Sequence, residues 1–233
     1  MTPSVRPYRG VDAAQRRAER RGRLLNAGLD LLGSGHPDIS ALTVRGVCQR
    51  AGLASRYFYE SFADKDDFIS GVFDWVIADV AATTQAAVAT VPADEQTHAA
   101  MANIVRTICQ DARVGRLIFS TQIADAVIVR KRVESSALFA MLSGQHVVNV
   151  LRAPANDRMK AGAHFAVGGV GQTISAWLAG DVQLEPDQLV DLLASLLDEL
   201  TEPSIYRNNS DVTAAAGAAT AAPRDPAGTD ASG

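Results

Sequence analysis

The stretch from Thr43 to Lys65 constrains this chain more than any other. Val44, Val47, Cys48 and Ala51 fall at i, i+3, i+4 and i+7, the apolar stripe of a short helix. Thr43 stands just before that stripe, where its hydroxyl can satisfy an orphan amide of the first turn. Gly52 stands just after it, where the backbone can take the left-handed conformation that ends a helix. Leu53 plugs the turn, and a second short helix is predicted to start near Ser55. Phe58 and Phe62, four apart, are expected to pack back onto the first helix, leaving Arg56, Tyr57, Glu60 and Ser61 outward. Two short helices with a glycine turn between them read as a helix-turn-helix, the second helix entering a DNA major groove.

Ala51-Gly52-Leu53, Phe58-Tyr59, Phe62 and Lys65 together resemble the DNA-binding signature of TetR-type transcriptional regulators. The spacing matches without a gap, and the signature lies near the N-terminus, as it does in that family. The chain departs from the family at Arg56-Tyr57, where Gly-Thr is common, and at Ala54, where Ser is frequent. These departures bear on the bases read and on the cap of the second helix. The resemblance implies an all-α fold, a three-helix DNA-binding head on a six-helix body for ligand binding and dimerisation. It implies a homodimer, double-stranded operator DNA and a small-molecule effector as partners, no cofactor, and a repressor rather than an activator. It also places Tyr59 and Lys65 on the DNA backbone, with Thr43 and Arg45 beside them on the first motif helix. Ser55, Arg56, Tyr57 and Glu60 are the candidate base readers. Arginine can pair bidentately with guanine, glutamate can accept from cytosine, and a tyrosine ring can touch a thymine methyl.

A net charge of −4 looks wrong for a DNA binder until the chain is divided. Residues 1–60 carry ten Lys/Arg against five Asp/Glu, and residues 61–233 carry twelve against twenty-one. A basic head on an acidic body is the asymmetry expected when one end alone meets phosphate. Arg16, Arg17, Arg20, Arg21 and Arg23 crowd one segment just before the motif, and phosphate contact by some of them is expected. Arg6 and Arg9 lie further upstream, in a segment read as a solvated arm.

Read in order, residues 1–14 form a flexible arm and 15–64 the head, with its first helix over Gln15–Ser34. Residues 65–203 form the body and 204–233 a disordered tail rich in Ala, Gly, Pro and Thr. The body helices are expected from Lys65 to about Val88, Asp94 to Gln110, Val114 to Ile123, Asp125 to Arg152, Asp157 to Ala179 and Pro186 to about Thr201. Ala161–Gly180 carries no charged residue, but five glycines and few large aliphatics disfavour a membrane span. No apolar leader opens the chain, so a cytoplasmic protein with no membrane partner is expected.

The effector pocket is expected among Trp75, Met101, Phe119, Gln122, Phe139, His146, His164, Phe165 and Trp177, apolar walls with a few polar anchors. The dimer interface is expected on the last two helices. Gly162, Ala166, Gly169 and Thr173 would permit close approach there, and Phe165, Leu189, Leu193, Leu196 and Leu200 would supply apolar area. Catalysis is disfavoured. The four histidines fit no metal spacing, Cys48 and Cys109 are far apart, and Gly168-Gly169-Val170-Gly171 lacks the Lys-Ser/Thr of a phosphate loop. No catalytic and no metal residues are assigned. The alternative to a regulator is a dimeric small-molecule-binding protein whose head has lost DNA function.

Overall fold

The computed structural model describes residues 9–35, 42–152 and 154–206 of the 233. The expected arm before Arg9, the tail after Tyr206 and the side chain of His146 lie outside that description. Among the described residues there are nine α-helices and no strand: α1 (Arg9–Leu32), α2 (Val44–Ala51), α3 (Ser55–Tyr59), α4 (Lys65–Val88), α5 (Gln96–Gln110), α6 (Ala112–Phe119), α7 (Ala126–Leu151), α8 (Asp157–Ala179) and α9 (Pro186–Glu199). Short 3-10 turns span Ala93–Glu95 and Pro203–Tyr206.

Three boundaries differ from the sequence expectation. First, α1 begins at Arg9 rather than Gln15, so the end of the expected arm is helical. Second, α6 starts at Ala112, where Asp111 caps it by accepting from the Arg113 amide, and stops at Phe119. Third, the chain remains packed through Tyr206, which is 5% exposed. Its ring lies against Gly162, and its hydroxyl donates to the Leu200 carbonyl.

The head is built on aromatic packing. Phe58, Phe62 and Phe68 form a triangle with ring centroids 5.0–5.5 Å apart, a spacing at which tilted and edge-on rings attract. They join Leu24, Leu25, Val47 and Val72 in one buried cluster. The axes of α1 and α4 come close at Gly28, where an added Cβ would sit 2.5 Å from Val72 and 2.6 Å from Phe68.

Helix α4 carries the head into the body. Its N-cap Asp64 accepts from the Asp67 amide while the Asp67 carboxylate accepts from the Ala63 amide, at 2.8 and 2.9 Å. This reciprocal pair fixes where the helix starts. Phe68, Ile69, Val72, Phe73, Val76 and Val80 line its buried side. The cluster they belong to runs on through Val114, Leu117, Ile123 and Ile128, so head and body share one continuous core. A second cluster packs Met101, Val105 and Ile108 of α5 against Ile174 of α8 and Leu189, Val190 and Leu193 of α9.

A polar clamp reinforces the junction. Arg113 of α6 donates to Asp30 of α1 and to Asp111, and Arg116 donates to the Gly33 carbonyl at 2.7 Å. Asp30 also receives Arg50 of α2 at 2.8 Å.

Candidate nucleic-acid interface and body cavities

The motif is two helices, the first of them capped at both ends. Thr43 Oγ1 accepts from the Gly46 amide at 3.0 Å and starts α2. Gly52 ends it at φ 62°, ψ 41°, a conformation that costs a side-chain-bearing residue about 1 kcal/mol or more. The Leu53 amide then donates back to the Cys48 carbonyl at 2.9 Å. The next cap, Ala54, makes no side-chain hydrogen bond, and α3 is correspondingly short. Cys48 is buried beneath it. Burial pushes its thiol pKa up, and a hydrogen bond with Ser55 partly offsets this.

Outside this frame, Thr43, Arg45, Ser55, Arg56, Tyr59, Glu60 and Lys65 are all exposed, with Tyr59 at 63%. Tyr59 presents an edge to Phe58 at 5.5 Å but keeps its ring in solvent. Tyr57 differs from expectation. It is half-buried between two guanidinium groups, Arg20 at 4.5 Å and Arg56 at 4.6 Å from its ring centroid, and its hydroxyl accepts from Arg56 at 2.6 Å. The Tyr57 hydroxyl pulls the Arg56 pKa up. Glu60 is engaged as well, with Arg20 at 3.5 Å. Tyr57 and Glu60 therefore each hold an arginine side chain in place.

Three arginines of the α1 run are engaged with the rest of the protein. Arg21 donates to the Ser61 carbonyl at 2.8 Å and lies 4.3 Å over the Phe62 ring. Arg23 donates to the Ala51 and Gly52 carbonyls at 2.6 and 3.3 Å. These carbonyls end α2 and carry its negative dipole end. Arg20, Arg21 and Arg23 thus buckle α1 to the motif, although Arg21 and Arg23, like Arg16 and Arg17, stay exposed.

Several of the expected pocket residues are engaged in packing within the protomer. Met101 is buried in the α5–α8–α9 cluster, with Phe119 and Trp177 packed against it. The Trp177 indole N–H is already used by the Leu184 carbonyl at 2.9 Å. Phe139 is half-buried, Gln122 is exposed, and Phe165 is 70% exposed. Two cavities instead take one expected residue each. Trp75 borders a cleft of about 230 Å³ with Asn26, Asp79, Gln110 and Arg113. His164 borders a groove of about 310 Å³ between α7 and α8, with Arg132, Val133, Ser136 and Ala137.

The expected interface residues also divide. Leu189 and Leu193 are 0% and 2% exposed, buried in the protomer's own core, and Gly162 is used by Tyr206. These three are thus engaged within the protomer. Spacing alone did not show which side of the leucine stripe faces inward. The outward apolar groups are Leu192 at 42%, Leu196 at 54% and Phe165. Gly169 is exposed, and Ala166, Thr173 and Leu200 are half-buried. Among the described residues, no helix is long and apolar enough to cross a membrane, and no group of three His, Cys, Asp or Glu could hold a metal.

No family model and no curated protein matches the chain. Solved structures do. The fatty acid degradation regulator FadR of Bacillus halodurans superposes with a TM-score of 0.61 at 12% identity, over 76% of this chain and 94% of that one. A TetR-like transcriptional regulator from Rhodococcus sp. RHA1 gives 0.58 at 17% identity, over 77% and 94%. FadR of Bacillus subtilis, in complex with stearoyl-CoA, gives 0.58 at 14% identity, over 76% and 96%. At such identities the likeness concerns the fold, and the fold of this chain is the TetR-like one.

Proposed function

We propose that this chain is a homodimeric, ligand-responsive transcriptional regulator, a repressor released from an inverted-repeat operator by a small molecule. One observation carries the reading. Exposed Thr43, Arg45, Ser55, Arg56, Tyr59 and Lys65 crown a capped helix-turn-helix whose inner face is held by an aromatic triangle. Tyr59 and Lys65 contact phosphate and set affinity, and Arg56 reads bases. The two-fold dimer presents two such heads to two half-sites. The outward side of α8 and α9, with Phe165, Gly169, Leu192 and Leu196, supplies the interface. The effector acts on the body, as the stearoyl-CoA bound by one structural neighbour supports. By displacing body helices it changes how α4 and the clamp set the heads, and the half-site spacing is lost. A coupling of about 1–3 kcal/mol changes operator affinity roughly 5- to 150-fold.

The test is a genome-wide binding selection with the purified full chain at physiological salt. An enriched inverted repeat is the expected outcome. No enrichment over random DNA would favour the small-molecule-binding protein without DNA function.

A further inference from the structure

Arg132 of α7 is a half-buried cation with no carboxylate partner among the described residues. Its Nε donates to the Leu117 carbonyl at 3.2 Å, and its Nη2 donates to the Leu117 and Arg116 carbonyls at 2.7 and 3.4 Å. Its Nη1 reaches the Ile123 carbonyl at 3.3 Å. Arg116 and Leu117 lie near the end of α6; the Ser120 amide already donates to the Arg116 carbonyl at 3.0 Å, and the guanidinium covers the neighbouring Leu117 carbonyl at the negative end of the helix dipole. A guanidinium has five N–H groups, and these bonds leave one Nη1 N–H without an acceptor among the described residues. Burial pushes the Arg132 pKa down, and no anion lifts it back. A desolvated charge without a counter-ion costs energy that an incoming anion would recover.

The surroundings fit that anion. Arg132 lines the α7–α8 groove with Ser136 and His164, and no acidic residue is in the lining. From the groove an apolar strip follows α7 at four-residue spacing, through Val129, Val133, Ala137 and Met141. Val129, Val133 and Met141 are 48%, 66% and 64% exposed. Residues four apart share a helix face, so the cationic end adjoins a continuous apolar track.

We infer that this groove binds an amphiphilic anion, with a carboxylate or phosphate head held by Arg132, Ser136 and His164 and an aliphatic chain laid along Val133, Ala137 and Met141. The inference deepens the regulator reading and rests on it only for the consequence at DNA. The head group competes with the α6 carbonyls for the guanidinium. Helix α6 also carries Arg113 and Arg116, which hold Asp30 and Gly33 of α1. Loosening the end of α6 therefore loosens the clamp on the head.

The test uses the full chain without DNA, with decanoate, decyl phosphate and 1-decanol as probes below their aggregation concentrations. Binding is followed by calorimetry and by Trp75 and Trp177 fluorescence. Both anions are expected to bind roughly tenfold or more tightly than the alcohol, as a charge-assisted contact requires. Arg132→Gln should erase that preference. Ser136→Asp, at an exposed position that leaves the α6 carbonyls covered, should erase it too, and it decides the matter if Arg132→Gln does not fold. Equal binding of decanoate and 1-decanol by the unmodified protein, or an anion preference that survives Ser136→Asp, overturns the inference. An operator mobility shift run in parallel separates the two claims. Anion binding without any DNA shift leaves the groove standing and sinks the regulator reading. A DNA shift without anion preference does the reverse.

Discussion

Asp30 and Arg113 join head to body, and the same Asp30 carboxylate gives its second oxygen to Arg50 of the helix-turn-helix. One side chain on α1 thus bridges α6 of the body and α2 of the head. Asp30→Asn keeps the shape and removes the charge that both arginines use. Because Asp30 is only 21% exposed, its loss should cost about 1–2 kcal/mol. The expected outcome is a lower urea midpoint with an unchanged m value. A midpoint equal to that of the unmodified protein would show that the bridge contributes nothing to stability.

Asp111 gives the clamp a pH signature. Hydrogen bonding from Arg113 is the main cause holding its carboxyl below the ordinary value of 3.8, against an opposing push from burial. A depressed carboxylate pKa adds stability that is fully present above the unfolded value and is lost as pH falls through the folded one. Asp111→Asn should therefore destabilise the protein by a constant amount above about pH 5 and progressively less below about pH 4. Urea titrations at several pH values check this. A gap between the two proteins that stays constant down to pH 3 would contradict the assignment.

Lys65 and Arg23 are both basic and near the motif, yet they should behave oppositely. Exposed Lys65→Ala should weaken binding to all DNA sequences alike and flatten the salt slope by about one unit. Arg23→Ala removes a cap from the Ala51 and Gly52 carbonyls and should cost about 1 kcal/mol of stability. Its salt slope should stay unchanged, because Arg23 meets the α2 end rather than phosphate. Salt-dependent mobility shifts and melting curves on both variants separate a DNA contact from a buckle.

Arg56 is presented by the Tyr57 ring and hydroxyl. Arg56→Ala should relax preference at one position per half-site, at a cost of roughly 1–3 kcal/mol there. Tyr57→Phe keeps the ring and loses the oriented hydrogen bond, so it should relax the same position by less. A base-preference profile that changes at different positions in the two variants would show that they do not act as a unit.

The head was legible because its signals are local. Thr43, Gly52 and Asp64 each report a helix end within three or four residues, and Phe58 and Phe62 declare their face by spacing. The clamp was not, since Asp30 and Arg113 meet across 83 positions and nothing in either neighbourhood marks the other. Arg132 was missed for the same reason. Its partners are backbone carbonyls, which have no sequence identity. The pocket residues pose a different difficulty. Met101 and Trp177 are apolar on helix faces, and periodicity does not distinguish a residue that packs a core from one that lines a space. Arg21 and Arg23 show the converse limit, for a basic run near a helix-turn-helix serves folding as readily as phosphate.

The leucine stripe of α9 yields the last prediction, because the structure divides it. Leu189 and Leu193 face α5 and are buried, whereas Leu192 and Leu196 point outward at 42% and 54% exposed. If the outward leucines meet a second copy, a charge at Leu196 is buried and unpaired in the dimer but solvated in the protomer. Leu196→Glu should then give a folded monomer with a near-normal melting curve at low concentration. Operator affinity should fall, because two half-sites no longer meet one particle. Leu189→Ala opens a cavity in the protomer core and should cost about 2–5 kcal/mol. Any dimer it still forms should have the ordinary affinity. Sedimentation equilibrium over a concentration series, paired with urea melts, reads both quantities. A Leu196→Glu variant that remains dimeric at micromolar concentration would move the interface away from this face of α9.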